Sequence, residues 1–147
     1  MGYLLGQFVA QFLLAGVMSA RGDLADAADG LRECVQLSHT IGYRAGVVCS
    51  LVLTADLARR RGDVRPAPTL LGAARVLGDQ VDVEAEATGN WEARVVWRWY
   101  RDARGTLVEP TLAAARAQLG DTEFEAAYAA GQQMTLDQAV EYVLAGG

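Results

Sequence analysis

The chain is expected to fold as an all-α protein of about eight helices, stacked as antiparallel pairs in an α-α superhelix. Three observations lead to this. First, a short turn occurs twice, as Arg21-Gly22-Asp23-Leu24 and, forty positions later, as Arg61-Gly62-Asp63-Val64. At the same offset Gly6 meets Gly46, Leu13 meets Leu53, Val17 meets Leu57, Leu31 meets Leu71 and Leu37 meets Leu77. A period of this length marks supersecondary units that bury their apolar faces by stacking on one another. Second, apolar residues recur at helical spacing, and alternation is nowhere sustained over the length of a strand. Third, Ala is abundant and the β-branched residues are mostly scattered Val, a mix that favours helix. The expected layout is a single helical-repeat domain over 1–147. Two helix-pair repeats at 3–38 and 43–78 are followed by a Trp- and Arg-rich helix at about 90–104 and C-terminal helices over 107–145. A chain of 147 residues is one domain, here expected to be a piece of a longer protein.

Taken in order, Tyr3 to Met18 is apolar almost all round, interrupted by Gln7 and Gln11, and reads as a helix buried on more than one side. At about 24 Å it would fall short of a bilayer's hydrocarbon core, and it lacks the basic start of a signal peptide. Asp23 is placed to cap a second helix carrying Leu24, Ala27, Ala28, Leu31, Val35 and Leu37, which Gly42 ends. The third helix runs from about Arg44 to Arg60 with Val48, Leu51, Val52 and Ala55 inward. Arg59-Arg60-Arg61 at its end complements the helix dipole, with an anion site as the alternative. Asp63 and Pro66 open a fourth helix whose core face is Leu70, Leu71, Ala74 and Leu77, and Gly78 is expected to stop it. Asp79 to Gly89 is poorly periodic, so it reads as a loop or a loosely held helix. Asn90 can cap the Trp/Arg helix.

Thr106-Leu107-Val108-Glu109 fits a capping box for the sixth helix, with Pro110 directly behind it. Gly120-Asp121 separates the sixth from a seventh helix carrying Phe124, Ala127 and Tyr128, which Gly131 is expected to end. Thr135-Leu136-Asp137-Gln138 is a second capping box, with Met134 as a hydrophobic staple against Ala139, and it opens the last helix.

The fourth helix and the C-terminal third resemble a known family. Leu70-Leu71-Gly72-Ala73-Ala74 is similar to the L-L-G-A-A helix of tetratricopeptide-like regions in large actinobacterial transcriptional regulators of the LuxR and AfsR type. Ala113 to Gly120 resembles the A-x-x-x-R-x-x-L-G helix of these regions, and Phe124 to Gly131 their F-x-x-A-[WY]-x-x-G element. Met134-Thr135 with Ala139-Val140 resembles their [LM]-[ST]-x-x-x-A-[VIL] ending. The connection from Asp79 to Gly105 is longer than the family pattern and carries three tryptophans. The resemblance implies a tetratricopeptide-like fold and no catalytic residues. It further implies a cytoplasmic sensing or interaction role beside a predicted ATPase module and, where present, a DNA-binding helix-turn-helix, both outside this segment.

Composition narrows the chemistry. All 13 basic residues are Arg, so no P-loop, Schiff-base or kinase-type lysine exists in this chain. One His and no C-x-x-C leave no zinc site. Cys34 and Cys49 read as reduced core cysteines, with a disulfide between the helices as the alternative. His39 near a helix end reads as favoured by the helix dipole rather than as catalytic. No enzyme activity, cofactor or metal is expected.

The candidate interaction surface is the Trp/Arg helix. Arg94, Arg98 and Arg101 lie at i, i+4 and i+7 and interleave with Trp97, Trp99 and Tyr100, residue types that dominate interface hot spots. The candidate self-association face is Leu4, Leu5, Phe8 and Phe12 of the first helix, through which the isolated chain is expected to form a homodimer. The leading expectation is a non-catalytic protein-interaction or sensor module, whose partners are other proteins or neighbouring domains. The alternative is a helical domain that binds a small effector in a Trp-lined pocket.

The net charge of −5 argues against direct nucleic-acid binding, because phosphate contacts supply most non-specific affinity. The isolated chain is therefore expected to leave duplex DNA unshifted in a mobility assay at low salt. A salt-dependent micromolar affinity would contradict this.

Overall fold

A computed structural model of the chain describes residues 2–87 and 98–146, with side chains for 3–81 and 98–146. All regular structure among these residues is helical. The elements are α1 (Gly2–Arg21), α2 (Leu24–Thr40), α3 (Arg44–Arg60), α4 (Ala67–Ala87), a helical stretch 98–103 (α5), α6 (Glu109–Leu119), α7 (Asp121–Gln132) and α8 (Leu136–Leu144). A π-helical turn, Arg104–Val108, joins α5 to α6.

The first three connections share one stereochemistry. Gly22, Gly42 and Gly62 have φ of 88°, 72° and 85°, the left-handed region that favours glycine. Around each glycine two amides fold back onto the preceding helix. The Asp23 amide donates to Met18 O at 2.9 Å, Tyr43 to Ser38 O at 2.8 Å and Asp63 to Ala58 O at 3.1 Å. These are Schellman closures, which satisfy the last carbonyls of a helix within a very short connection. The Gly-Asp turns at 22 and 62 thus have the same geometry, and Gly42 between them repeats it. The aspartates behave differently from expectation. Asp23 makes no side-chain cap and instead lies 3.8 Å from Arg21. Asp63 accepts from the Arg65 amide at 3.2 Å and from its guanidinium at 2.8 and 3.0 Å. The Arg65 side chain and amide hold the exposed Asp63 carboxyl down at about 2.

α3 is the centre of the fold. From Ala45 to Leu57 every residue except Thr54 is buried. α2 and α4 pack along it, and α1, α6 and α8 touch it. Phe8 of α1 reaches it at Gly46, where an added Cβ would stand 2.9 Å from the Phe8 ring and 2.7 Å from Tyr43. α8 lies across α2, α3 and α4, and the expected capping box opens it: Thr135 Oγ1 accepts from the Gln138 amide at 3.2 Å, and Gln138 Oε1 accepts from the Thr135 amide at 2.9 Å.

Several helix ends differ from the sequence expectation. α1 continues to Arg21, so it is about 30 Å long rather than 24 Å. By length and composition alone it could cross a membrane, though its Phe8 and Phe12 side is buried within the protein. Gly78 does not stop α4, and residues 79–87 continue the helix. Gly78 instead makes room for Tyr100, whose hydroxyl would lie 2.7 Å from a Cβ there. Gly131 does not end α7 either. It faces Thr69 of α4, where a Cβ would stand 2.0 Å from the Thr69 carbonyl oxygen. Across the same crossing, a Cβ on Gly72 would stand 2.3 Å from the Tyr128 carbonyl oxygen. Both glycines are spent on backbone approach, and Thr69 Oγ1 donates to Ala127 O at 3.2 Å beside them.

The capping box expected at Thr106 does not form, and Thr106 Oγ1 donates to Asp102 O at 3.4 Å. The cause is Pro110. It has no N–H for the Thr106 carbonyl, and its ring crowds that carbonyl, so the helix widens by one residue instead of breaking. The Glu109 amide then donates five residues back, to Arg104 O.

Gly131→Ala and Gly72→Ala should each lower stability by about 1–3 kcal/mol or more, through overpacking against unyielding backbone. Gly105→Ala, which meets nothing within 4 Å, should be neutral or slightly stabilising. Denaturant midpoints of the three variants check this.

Candidate functional site

The Trp/Arg helix divides between core and surface. Tyr100 is buried against Gly78, and burial pushes its phenol pKa up, so it packs into the core instead of standing on an exposed helix face. Trp99 is half-buried and meets Phe12 edge-on, with centroids 4.8 Å apart at 89°, so it pins α5 to α1. Arg98 and Arg101 are exposed and make no ion pair among the described residues. Trp97 and Arg94 lie outside the described residues, as do Trp91 and the start of the helix expected at Asn90.

The expected self-association face is corrected. Phe8, Phe12 and Leu5 are buried at 0%, 2% and 7%, with Phe8 edge-on to Tyr43 at 5.5 Å. Leu4 alone of the four is exposed, at 36%. The helix had enough apolar residues for two faces, and the aromatic one turned inward. The other carries Tyr3, Leu13, Leu14 and Val17, each more than half exposed. Tyr3, Gln7, Ala10, Leu14 and Val17 follow one another at i+4 and i+3 steps, with Leu4 and Leu13 alongside. This stripe carries no charge until Arg21.

Cys34 and Cys49 are buried thiols that form no disulfide, and burial pushes the Cys34 thiol up to about 12 and Cys49 higher still, which makes both inert. His39 Nε2 lies 2.7 Å from Asp137 Oδ1 and so ties the end of α2 to α8. The arginine triplet is used structurally. Arg59 donates to the buried Asp56 carboxylate at 2.6 Å and to Thr111 Oγ1 of α6 at 3.3 Å. Arg60 donates to Ser19 of α1, and Arg61 is exposed. Asp56 was not singled out in the sequence, where only its spacing of three from Arg59 hinted at the pair.

A groove of about 380 Å³ opens between α3, α4, the π turn, α6 and α7. Its floor is Val52, Leu71, Ala74, Val108 and Leu112, and Tyr100 and Tyr128 form its walls. Arg75, Asp79, Arg104 and Glu109 stand exposed around the rim. The Arg104 guanidinium lies 5.2 Å over the Tyr100 ring, and Arg75 stands on the side of Tyr128. This groove was not legible in the sequence, because its lining comes from six segments. Among the described residues, no cluster of three His, Cys, Asp or Glu side chains is placed to hold a metal.

Comparison with protein-family profiles, with curated proteins and with solved structures found no match to this chain.

Trp99→Ala should cost about 2 kcal/mol, less than the 3–5 kcal/mol of a fully buried Trp, because half the side chain already meets solvent. Phe12→Ala should fall in the larger range. A double-mutant cycle should return a coupling of about 1 kcal/mol for the edge-to-face pair.

Proposed function

We propose that this chain is a non-catalytic helical interaction module, acting as the sensor or docking part of a cytoplasmic multidomain bacterial transcriptional regulator. The observation that carries the reading is the uncovered apolar stripe of α1. Tyr3, Leu13, Leu14 and Val17 form a continuous, uncharged helix face of the kind that marks a protein contact on a soluble domain.

The chain's internal correspondence says what would cover it. Leu13 and Val17 correspond to Leu53 and Leu57 of α3, which are 5% and 2% exposed. Leu57 borders a cavity together with Ala28 and Arg32 of α2 and Val143 of α8, and its helix packs along α2 and α4. The occupant of the α1 stripe is accordingly another amphipathic helix. In the full regulator it would belong to a neighbouring domain or partner, and in the isolated chain to a second copy.

The regulator part of the reading is supported by the resemblance in α4, α6, α7 and α8. The glycines of two resembling elements, Gly72 and Gly131, are the ones that permit the α4–α7 crossing, which gives those motif positions a physical purpose.

Light scattering coupled to size exclusion should find the isolated chain as a dimer at high micromolar concentration. Leu14→Glu with Val17→Glu should return a monomer of unchanged melting temperature, since both positions are exposed. A wild-type monomer, or a dimer that survives the double substitution, would overturn the role of this face. Flotation of the chain with vesicles, abolished by the same pair, would show a lipid surface as its partner instead.

A further inference from the structure

The groove walled by Tyr100 and Tyr128 has properties that the docking reading does not use. Its floor is apolar, and Val52, Leu71 and Ala74 there are almost fully buried. Two guanidiniums stand at its rim on different elements, Arg75 on α4 and Arg104 in the π turn. Arg104 lies against the Tyr100 ring, and Arg75 borders the groove beside Tyr128. Among the described residues neither makes an ion pair within 4 Å, although Asp79 and Glu109 also border the groove. Arginine offers five donors in a planar fork, so each has capacity for a ligand beyond its contacts with the described residues.

The local structure that brings these groups together departs from the regular helix at two points. The π turn places Arg104 and Glu109, five residues apart, along the same edge, and such widened turns recur at functional sites. Gly78 leaves room for the hydroxyl end of Tyr100 against α4 and so sets the wall. An apolar, largely preformed concavity of this size with a few convergent polar groups is the usual form of a small-ligand site.

We propose that this groove binds a small organic carboxylate with an aromatic or branched apolar body. The body lies on Leu71, Ala74 and Leu112 between the two tyrosines, and the carboxylate takes the Arg75 and Arg104 donors. Asp79 and Glu109 repel a second negative charge, which restricts the ligand to monoanions. This inference does not rest on the docking role of α1.

The test is an NMR titration of the ¹⁵N-labelled chain with phenylacetate and indole-3-acetate. Phenylacetamide and phenethylamine serve as neutral and cationic matches. Shifts are expected at Ala74, Tyr100, Leu112 and Tyr128, with the carboxylates bound about tenfold or more tighter than the amide. Arg75→Gln and Arg104→Gln lie on the exposed rim and should each weaken phenylacetate about tenfold while leaving the melting temperature unchanged. Leu14→Glu with Val17→Glu should leave the titration unaltered, which separates this site from the α1 face. The absence of shifts at millimolar carboxylate would overturn the proposal. So would equal binding of the amide, a preference for the amine, or a shift pattern centred elsewhere.

Discussion

The structure depends on the burial of α3 from Ala45 to Leu57. A helix with no exposed side has to find a partner for every polar atom it carries, and α3 does this locally. Ser50 Oγ donates to Gly46 O at 2.8 Å, Thr54 Oγ1 to Ser50 O at 2.6 Å, and Asp56 accepts from Arg59 at 2.6 Å. With those groups satisfied, the remaining surface of α3 is aliphatic, and burial of such surface is the main favourable term in folding. α2, α4 and α8 close around it, and Arg59 extends the arrangement to α6 through Thr111. No buried side-chain nitrogen or oxygen among the described residues lacks a partner.

α1 is the counterpart of α3 at the forty-residue offset, and the contrast between them is the source of the proposed surface. Leu13 is 53% exposed where Leu53 is 5% exposed, and Val17 is 54% exposed where Leu57 is 2% exposed. The residue types are alike; the neighbours are not. α3 packs along both α2 and α4 and is touched by α1, α6 and α8, whereas α1 packs chiefly on α2, with Phe12 and Trp99 adding an aromatic contact. The same apolar pattern therefore builds a core in one place and an open face in the other.

The C-terminal half is organised by close backbone approach. Gly72 and Gly131 let α4 and α7 cross at a distance no side chain would permit, and Gly78 does the same for Tyr100. Pro110 adds the π turn, which keeps α5 and α6 continuous instead of separating them. The groove follows from these adjustments, since its walls are the two tyrosines that the glycines and the π turn position. Outside it, Arg116 covers the Phe124 ring at 4.3 Å and pairs with Asp121 and Glu125, which holds the α6–α7 corner.

The sequence by itself determined the helical class, the glycine turns at 22, 42 and 62, and the capping box at Thr135. Each of these is local: a φ that only glycine adopts readily, a side chain that reaches three residues along, a spacing of three and four. The tertiary structure decided what local rules cannot reach. Gly78 and Gly131 looked like helix stops, but a glycine inside a helix is equally an opening for a neighbouring chain, and only the neighbour distinguishes the two. Thr106 looked like a cap until Pro110 turned the junction into a continuous helix. In α1, Phe8 and Phe12 went inward while Leu13, Leu14 and Val17 stayed outward, because a helix apolar all round does not specify its own buried face. That face is chosen by the shape of the surface it meets, here Gly46 and Tyr43 on one side and Trp99 on the other.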